Sequence, residues 1–424
     1  MHYNYKYRLD PPEALTETLL HHVDTCRQLY NHVLSKLNEA DEIPARYKVQ
    51  GTLPDLKRWW DELGDVHSKV LQMVVKRVYD NLSTLKAQTE NGRAVGMLKW
   101  KPPREYRSFT YNQSGFKLKN TSGRPVLWLS KIGEIPIHLH RDIPESATIK
   151  QVTVKQEPTG EWFATFGIDV DEDTPEKPEN LERVAGIDVG ILKYAHDTDG
   201  TAVESPDFSA ERERLERAQR DLSRKEHGSN NWEKARQQLA QAYERLQTRR
   251  EDYREKLAHE YTTQYDAVFL EDLDVKAMKE DGRNSRNIAA MLWRQTIQAF
   301  KRHGKKNGCY VIEVPPEGTT KRCSQCGCET DKPLWVREHS CPSCGFEADR
   351  DYNAALEIKR LGLQQLGIET PAEDVGQGMA ESTPAETALS GDTEGTPYVV
   401  SPTRVVETGS PCLKEPPKAA SRQG

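Results

Sequence analysis

The segment RVAGIDVGILKYAHDTDGTAV (183–203) decides the fold of this 424-residue chain. Its apolar residues alternate with polar ones on either side of turn residues 197–200, which predicts three strands in a meander. Because side chains alternate between the two faces of a strand, Gly186, Asp188 and Gly190 share one face. Two glycines around a carboxylate indicate space for a bulky group, such as a metal ion with a phosphate. The alternative is an ordinary solvent-facing aspartate at a strand end.

The residues that follow continue this unit as helices and strands. The helical segments are charged or amphipathic, and the strand segments are short and apolar. The predicted elements are a helical hairpin over 207–262 broken at HGSNN (227–231), a strand DAVFLEDL (266–273), a helix through 286–303, a strand CYVIEV (309–314) and a helix DRDYNAALEIKRLGL (349–363). This order indicates an α/β domain with an insert before its last helix.

Acidic residues mark two of these elements. Glu271 ends the apolar run of its strand, at the carboxyl end where open α/β sheets place their sites. Its neighbour Asp272 should point to the opposite face, and Asp274 should lie beyond the strand. Asp349 and Asp351 precede the last helix, and either of them could be its N-cap.

Acids from three separate elements could therefore converge, with Asp188 and Glu271 among them. Three carboxylates close together repel one another, and each raises the pKa of the others. A hard divalent cation resolves this, and oxygen ligands select Mg²⁺ or Mn²⁺. Two such ions roughly 4 Å apart would stabilise the attacking and leaving oxygens of a phosphodiester cleavage. The sequence thus predicts metal-activated hydrolysis with water as the nucleophile.

Two Cys-x-x-Cys pairs, within CSQCG (323–327) and CPSCG (341–345), occupy the insert. In a large intracellular protein this spacing indicates metal binding rather than disulfides. The predicted ligands of a closed, structural zinc site are Cys323, Cys326, Cys341 and Cys344. Zinc binding could contribute on the order of 10–16 kcal/mol to folding of the insert. Cys328 and His339 are the nearby alternatives for a ligand.

The amino-terminal part of the chain (1–183) contains a helical segment and a strand-rich segment. Residues 11–90 place apolar side chains at helical spacing and predict a small helical unit. From about 93 to 183 the spacing becomes two, and three hairpins are predicted. They are SFTYNQSGFKLKN (108–120), VLWLSKIGEIPIHLH (126–140) and VTVKQEPTGEWFATFGIDV (152–170). Short strands in succession indicate a small β-barrel.

The net charge of −6 argues by itself against a simple nucleic-acid binder. Nine acidic and four basic residues lie in 369–424, so residues 1–368 carry a net charge of −1. This tail has few apolar residues and is predicted to be disordered. No apolar stretch is long enough for a membrane span or a signal peptide. We expect a cytoplasmic, prokaryotic protein, and an acidic surface of this kind also suits a salt-in halophile.

Basic residues interleaved with aromatic ones are candidates for phosphate contacts. They occur in 76–77, 99–111, 222–228 and 300–308. The predicted nucleic-acid contacts are Lys76, Arg77, Lys101, Arg104, Arg107, Arg224 and Lys225. The run YERLQTRREDYREK (243–256) alternates acids with bases, which is typical of a solvated helix face.

Together these segments resemble the TnpB (OrfB) family, the accessory proteins of insertion sequences and relatives of type V CRISPR effector nucleases. The resemblance spans residues from about 4 to 365. It is carried by YKYRLDPPEAL (5–15), CRQLYNHVL (26–34), SFTYNQSG (108–115), LSKIGEIPIHLHR (129–141), GIDVGILKYAHDTDG (186–200), LSRKEHGSNNWEKAR (222–236), VFLEDL (268–273) and DRDYNAALEI (349–358). Glu357 departs from the family pattern, since many members carry Asn there.

The resemblance implies a RuvC-like (RNase H type) nuclease domain with a Cys₄ zinc-ribbon insert. It implies Asp188, Glu271 and Asp351 as the metal-binding catalytic acids, because the aspartate before x-Asn is the family's catalytic one. The implied domains are a wedge-like β-barrel (1–10 and 91–183), a helical recognition unit (11–90), the nuclease domain (184–318 and 346–365), the zinc ribbon (319–345) and a disordered tail (366–424).

The same resemblance implies RNA-guided cleavage of a DNA target. The guide RNA would come from the element's own end, and the amino-terminal lobe would recognise a short motif beside the target. The alternatives are a catalytically silent nucleic-acid-binding regulator, a transposase that joins DNA strands itself, and a junction resolvase. No membrane partner is expected, and the oligomeric state is unknown.

Overall fold

The structure is a computed structural model that describes residues 1–171, 173, 175–190, 193–273, 292–333 and 335–368. The chain divides into two compact units. The first unit comprises Met1–Arg183, Phe208–Ala267 and Thr296–Val311, and the second comprises Val184–Asp207, Val268–Gln295 and Ile312–Gly424. Asp274, the predicted start of the helix through 286–303, and residues 369–424 of the predicted tail lie outside the described residues.

One seven-stranded antiparallel sheet belongs to the first unit. Its strands are β1 (His2–Leu9), β2 (Ser108–Asn112), β3 (Phe116–Thr121), β4 (Arg124–Leu129), β5 (Gly133–His138), β6 (Thr148–Gln156) and β7 (Trp162–Asp169), in the order β2-β6-β7-β1-β5-β4-β3. Two predicted hairpins are confirmed. β4 pairs with β5 about Gly133, and β6 pairs with β7 about the turn that contains Gly160.

The predicted hairpin over 108–120 is wrong. β2 pairs with β6 and β3 pairs with β4, so these consecutive strands lie at opposite edges of the sheet. Residues 113–115 join them, and four Cα steps can span at most about 15 Å. In a flat sheet, strands about 4.8 Å apart would put those edges about 29 Å from each other. The sheet must therefore curl strongly, and its closure into a barrel stays a prediction.

Helices complete the first unit. They are α1 (Glu13–Glu39), α2 (Arg46–Gly51), α3 (Leu53–Leu56), α4 (Glu62–Asp65), α5 (Ser68–Glu90), α6 (Ser209–Ser223), α7 (Asn230–Gln264) and α8 (Trp293–Asn307), of which α8 begins in the second unit. The predicted apolar spacing of α1 is confirmed, because Leu19, Cys26 and Tyr30 are all buried on one stripe. This stripe packs against α5, and α5 in turn packs on β2.

A five-stranded sheet lies mainly in the second unit, with the first residues of its last two strands assigned to the first unit. Its strands are β8 (Val184–Asp188), β9 (Lys193–Asp197), β10 (Ala202–Glu204), β11 (Ala267–Glu271) and β12 (Tyr310–Val314), in the order β10-β9-β8-β11-β12. The predicted meander of β8, β9 and β10 is confirmed by their antiparallel pairing. A two-stranded sheet, β13 (Glu338–Ser340) with β14 (Glu347–Asp349), and the helix α9 (Arg350–Gln365) follow. The predicted mixed α/β class is thereby confirmed.

Hydrogen bonds fix the direction of the central strands. The Asp266 amide donates to the Arg183 carbonyl, so β8 and β11 start side by side. The Tyr310 amide donates to the Asp266 carbonyl, and the Asp272 amide donates to the Val314 carbonyl. β8, β11 and β12 are therefore parallel, and their carboxyl ends meet at one edge of the sheet.

Two glycines allow α9 to pack directly on this sheet. A Cβ added to Gly186 would lie 2.1 Å from the Ala355 carbonyl oxygen and 2.6 Å from the Lys359 amide. A Cβ added to Gly362 would lie 2.0 Å from the Phe269 ring on β11. The space expected beside Asp188 for a ligand is thus occupied, at Gly186, by the backbone of α9. That part of the sequence interpretation was wrong, since the glycine serves helix packing.

We expect Gly186→Ala to destabilise the second unit by at least about 3 kcal/mol, the upper range for overpacking. The added methyl group would meet helix backbone, which cannot rotate away as a side chain can. Urea unfolding followed by circular dichroism measures this. The control is Gly64→Ala, where a Cβ would meet nothing within 4 Å. Equal stability of the two variants would contradict the packing role.

The described helices include none that is both long and apolar enough to cross a membrane.

Candidate functional site

Parallel strands bring the first two predicted acids to one edge of the sheet. Asp188 is the last residue of β8 and Glu271 is the last residue of β11, its direct neighbour. Glu271 is buried, and the Thr319 hydroxyl donates a hydrogen bond to its Oε1. The apolar run before each acid fills the core, so the chain can present these carboxylates only where the strands end.

The third acid stands on the first turn of α9. Asp349 is the N-cap of this helix, and its carboxylate accepts hydrogen bonds from the amides of Asp351 (2.8 Å) and Tyr352 (3.3 Å). Lys193 Nζ lies 3.8 Å and His196 Nδ1 3.6 Å from the same carboxylate. The sequence left open whether Asp349 or Asp351 joins the other acids. Asp349 caps the helix, whereas the charge of Asp351 acts on Asp188.

Electrostatic interactions couple Asp188 to the other two acids. Burial, together with the nearby charges of Glu271 and Asp351, raises the pKa of Asp188 well above the ordinary carboxyl value. Arg350 and Arg337 oppose this shift. Burial also raises the pKa of Glu271, while the hydrogen bond from Thr319 lowers it. The setting thus disfavours the charged forms of Asp188 and Glu271, and Asp188 is affected by the charges of both other acids.

Arginines supply counter-charge to this acidic group. Arg337 Nη2 donates to Asp351 Oδ2, and Arg350 Nε lies 3.9 Å from Asp351 Oδ1. Arg337 belongs to the cysteine insert and Arg350 to the start of α9. The donor set is all oxygen and carries excess negative charge, which fits a hard cation such as Mg²⁺ or Mn²⁺ better than a soft one.

Asp272, the other acid at the end of β11, does not lie with the three predicted acids. Asp272 is exposed, and its carboxylate pairs with Arg294 at 3.3 Å. Its position one residue after Glu271 turns it to the other face, as the two-residue period of a strand requires. Asp272 is therefore not part of the acidic group.

The four predicted cysteines form a second site. The sulfurs of Cys323, Cys326, Cys341 and Cys344 all lie within 4.8 Å of one another. Within the described part of the chain, this is the one group of three or more metal-ligating side chains with donors so close together. Hydrogen bonds from the backbone amides of Cys344 and Ser343 lower the pKa of Cys341 to about 6. A thiolate is therefore ready for a metal ion, which this site could hold.

The two alternative zinc ligands do not join the cluster. Cys328 Sγ lies 3.8 Å from the Glu329 carbonyl oxygen, and His339 Nδ1 lies 2.8 Å from Lys332 Nζ. Gly327 and Gly345 follow the second cysteine of each pair with positive φ angles of 74° and 77°. Their amides donate to the carbonyls of Cys323 and Cys341, which turns each loop around its sulfurs.

An asparagine that served the sequence interpretation only as a marker of the catalytic aspartate joins the two sites. Asn353 stands two residues after Asp351 and is fully buried. Its Oδ1 accepts from the Ser324 amide at 3.0 Å, and its Nδ2 donates to the Arg322 carbonyl at 2.9 Å. Both ends of the side chain thus hold the loop that carries Cys323. The only signal in the sequence was the position of Asn353 within DRDYNAA (349–355).

Glu357, the departure from the family pattern, strengthens the same connection. Its buried carboxylate accepts from Arg360 Nε and Nη2, both at 2.7 Å. Arg322 Nη1, which precedes the cysteine loop, lies 3.5 Å away. One turn of α9 beyond Asn353, the helix therefore contacts the ribbon a second time.

We expect Asn353→Ala to loosen the cysteine site without removing any ligand. The change leaves the buried Ser324 amide and Arg322 carbonyl without partners, at a cost of about 2–6 kcal/mol for the two groups. Competition with a chromophoric chelator should show faster zinc loss than in the unchanged protein. Asn353→Asp keeps the acceptor and removes the donor, so its rate of zinc loss should lie between those of Asn353→Ala and the unchanged protein. Zinc retention equal to that of the unchanged protein would refute the role of Asn353.

The predicted nucleic-acid contacts lie in the first unit, and several already contact protein groups. Arg77 Nη2 donates to Ser108 Oγ at 2.9 Å and stacks over the Tyr106 ring. Arg104 pairs with Glu233 and lies over the Trp232 ring. Ion pairs at helical spacing join Lys76 to Asp80, Lys101 to Glu105 and Lys225 to Asp221. Arg107 Nε donates to the Arg104 carbonyl, and Arg224 is exposed at the end of α6. Their roles toward nucleic acid stay predictions.

Three family profiles match the chain. The profile OrfB_IS605, described as a probable transposase, matches residues 166–281. The Cas12f1-like TNB domain matches 293–358, and a helix-turn-helix domain of OrfB_IS605 matches 1–42. In this chain the last segment is a strand followed by one long helix, β1 and α1.

Two curated relatives illustrate the likeness in sequence. A Streptomyces pristinaespiralis protein described as "Putative RNA-guided DNA endonuclease" is 33% identical over 260 residues. That alignment covers 60% of this chain and 63% of the relative's length. An Escherichia coli (strain K12) protein, InsQ, with the same description is 27% identical over 384 residues, which cover 84% of this chain and 92% of the relative.

A solved structure shows the same fold. A chain in the cryo-EM structure of the Cas12f1-sgRNA-target DNA complex superposes with a TM-score of 0.59 and 17% identity, over 82% of this chain and 83% of that one. The fold class is thus that of the Cas12f1 chain. The three matching family profiles and these relatives confirm the resemblance to the TnpB (OrfB) family.

Proposed function

We propose that this protein is an RNA-guided, metal-dependent DNA endonuclease encoded by an insertion sequence. The convergence of Asp188, Glu271 and Asp351 at the strand ends carries the proposal, because Asp188 is strongly affected by the charges of the other two. Such a cluster is costly unless a cation occupies it. The descriptions of the two curated relatives as RNA-guided DNA endonucleases support the reaction class.

The three carboxylates would hold two Mg²⁺ or Mn²⁺ ions. When bound, such ions activate water and stabilise the charge that develops on the phosphate oxygens. The protein's own part is to hold the ligands in place. Thr319 orients Glu271, the Asp349 cap fixes the first turn of α9, and the close packing at Gly186 sets the distance between that turn and β8.

The cysteine cluster would hold one structural zinc ion. Four sulfurs within 4.8 Å of one another match a tetrahedral site, and all four positions are filled by protein. We assign it no chemical step. Its contribution is to order the insert, from which Arg337 reaches Asp351.

The partners in this proposal are a guide RNA from the element's own end and a DNA target. The seven basic residues predicted from the sequence would contact phosphates, and the amino-terminal lobe would recognise a short motif beside the target. The compartment we propose is the prokaryotic cytoplasm, where a salt-in halophile would explain the acidic surface. Full activity in dilute buffer would contradict the halophile part.

The test is to purify the protein from cells that carry its native flanking DNA and to sequence the bound RNA. A single RNA that matches the element's end, followed by guided cleavage of DNA with Mg²⁺, is the expected result. The probable-transposase description of the matching family favours one alternative, a protein that joins DNA strands itself. Strand-transfer products formed without RNA would establish that alternative, and RNA binding without cleavage would indicate a silent regulator.

A further inference from the structure

Arginines crowd one face of the helical hairpin formed by α6 and α7. The guanidinium carbons of Arg249 and Arg250 lie 5.7 and 5.6 Å from the centre of the Phe208 ring, at the start of α6. The charges of Arg212 on α6 and Arg254 on α7 face Arg250. All of these residues belong to the first unit. The alternation of charges in 243–256 had indicated a solvated face, but one side of this run is buried.

Arg254 is the anomaly in this group. Its side chain is only 7% exposed, and its Nε atom is buried without a hydrogen-bond partner. The Nε atom of the half-buried Arg250 is likewise buried without a hydrogen-bond partner. For neither residue does the described part of the chain show an ion pair or a side-chain hydrogen bond. A buried charge without a partner costs several kcal/mol, so an isolated fold should not retain it without a reason.

Negative charge is scarce on this face. Glu211 is buried, and its Oε1 pairs with Arg249 Nη1 at 2.6 Å. Burial lowers the pKa of Arg250, and the charges of Arg212 and Arg254 lower it further. Among the described residues no carboxylate opposes these effects on Arg250. Arg250 and Arg254 therefore lie in this cluster without a paired carboxylate among the described residues, while Arg249 is exposed and Arg254 is buried.

We propose that Arg250 and Arg254, with Arg212 beside them, bind a phosphodiester group of a nucleic-acid backbone. The proposal rests on the proposed function, which gives the protein two nucleic-acid partners. Guanidinium groups hold phosphate oxygens through paired N–H donors, which a buried arginine with unused donors can supply at once. The ring of Phe208 forms an apolar wall beside the charges. RNA and DNA share this phosphate chemistry, and the experiment separates them.

The test compares salt dependence of binding. Fluorescein-labelled 30-nucleotide RNA and DNA of the same base sequence are titrated with the full-length protein at several salt concentrations. Arg250→Gln should weaken binding about three- to tenfold and reduce the slope of log affinity against log salt by about one for each phosphate that the side chain no longer neutralises. The control is Arg217→Gln, an exposed arginine on α6 with the same change of charge. Its slope should remain that of the unchanged protein.

The two probes identify the ligand. A loss confined to RNA assigns the site to the guide, a loss confined to DNA assigns it to the target, and an equal loss shows a site for either. An unchanged slope with both probes overturns the proposal. If the wild-type protein binds nucleic acid but never cleaves DNA, the endonuclease function would be refuted and the proposed phosphate site would not be affected. If the wild-type protein cleaves DNA but Arg250→Gln keeps the wild-type slope, the proposed phosphate site alone would be refuted.

A stability measurement excludes a purely structural role. Arg254→Met keeps much of the length of the side chain and removes a charge that has no partner. If the site awaits a phosphate, the melting temperature without nucleic acid should be equal to or above that of the unchanged protein, and binding should weaken. A lower melting temperature with unchanged binding would mean that Arg254 supports the fold, and it would overturn the proposal.

Discussion

Asp188→Asn should reduce DNA cleavage by at least about 10³-fold, which corresponds to roughly 4 kcal/mol in the barrier. An amide cannot carry the charge that a divalent cation requires of its ligand. The charges of Glu271 and Asp351 both raise the pKa of Asp188. The substitution therefore removes the carboxylate whose pKa those two acids affect most. Single-turnover cleavage of a guided DNA substrate with Mg²⁺ measures the effect.

The same variant should be at least as stable as the unchanged protein without divalent ions. Replacing the half-buried carboxylate removes its repulsion with Glu271 and Asp351, whereas the shape of the side chain is retained. Melting curves in a chelating buffer test this. The control is Asp272→Asn, an exposed carboxylate on the other face of the strand end. Its cleavage rate should stay within about twofold of that of the unchanged protein, since a surface ion pair is worth at most about 1 kcal/mol. Retained cleavage by Asp188→Asn would refute the site.

Cys341→Ser should abolish metal binding by the insert and unfold it. Cys341 is one of the four cysteines of the cluster, and hydrogen bonds from backbone amides lower its pKa to about 6. Zinc binding to ribbons of this kind is worth on the order of 10–16 kcal/mol of folding free energy. The insert has two strands of three residues each and cannot offset that loss. Zinc content by mass spectrometry and hydrogen exchange of 319–349 measure the result.

Loss of the insert should also reduce cleavage. Asn353 and Glu357 connect α9 to the cysteine loop, and Arg337 reaches Asp351 from the insert. The control is Cys328→Ser, a thiol outside the cluster, which should keep both zinc and activity. A zinc-free Cys341→Ser protein with normal exchange protection and cleavage would show that the metal has no structural role.

The acidic group could be predicted because its chemistry is local. An apolar run that ends in Glu271, and a carboxylate at the end of β8, mark strand ends whatever surrounds them. The cysteine spacing was equally informative, since the four thiols lie where the ribbon pattern predicted them. Choosing Asp351 over Asp349 needed either a resemblance or the observed cap.

The sequence predictions that were wrong depended on contacts between segments that are distant along the chain. The pattern gave the face on which Gly186 lies but could not show that α9, a helix much later in the chain, fills the space above it. The turn residues 113–115 suit a hairpin, yet the curl of the sheet gives β2 and β3 other partners. Alternating charges in 243–256 do not show which side is buried, so Arg254 looked like any surface arginine.

The position of the insert before α9 has a consequence for synthesis of the chain on the ribosome. Asp188 and Glu271 both precede Asp351, and the whole cysteine loop is translated between Glu271 and Asp351. A nascent chain therefore holds two of the three acids while it waits for the third. Because Asn353 holds the cysteine loop, we expect zinc binding by that loop to favour the placement of the third acid during synthesis.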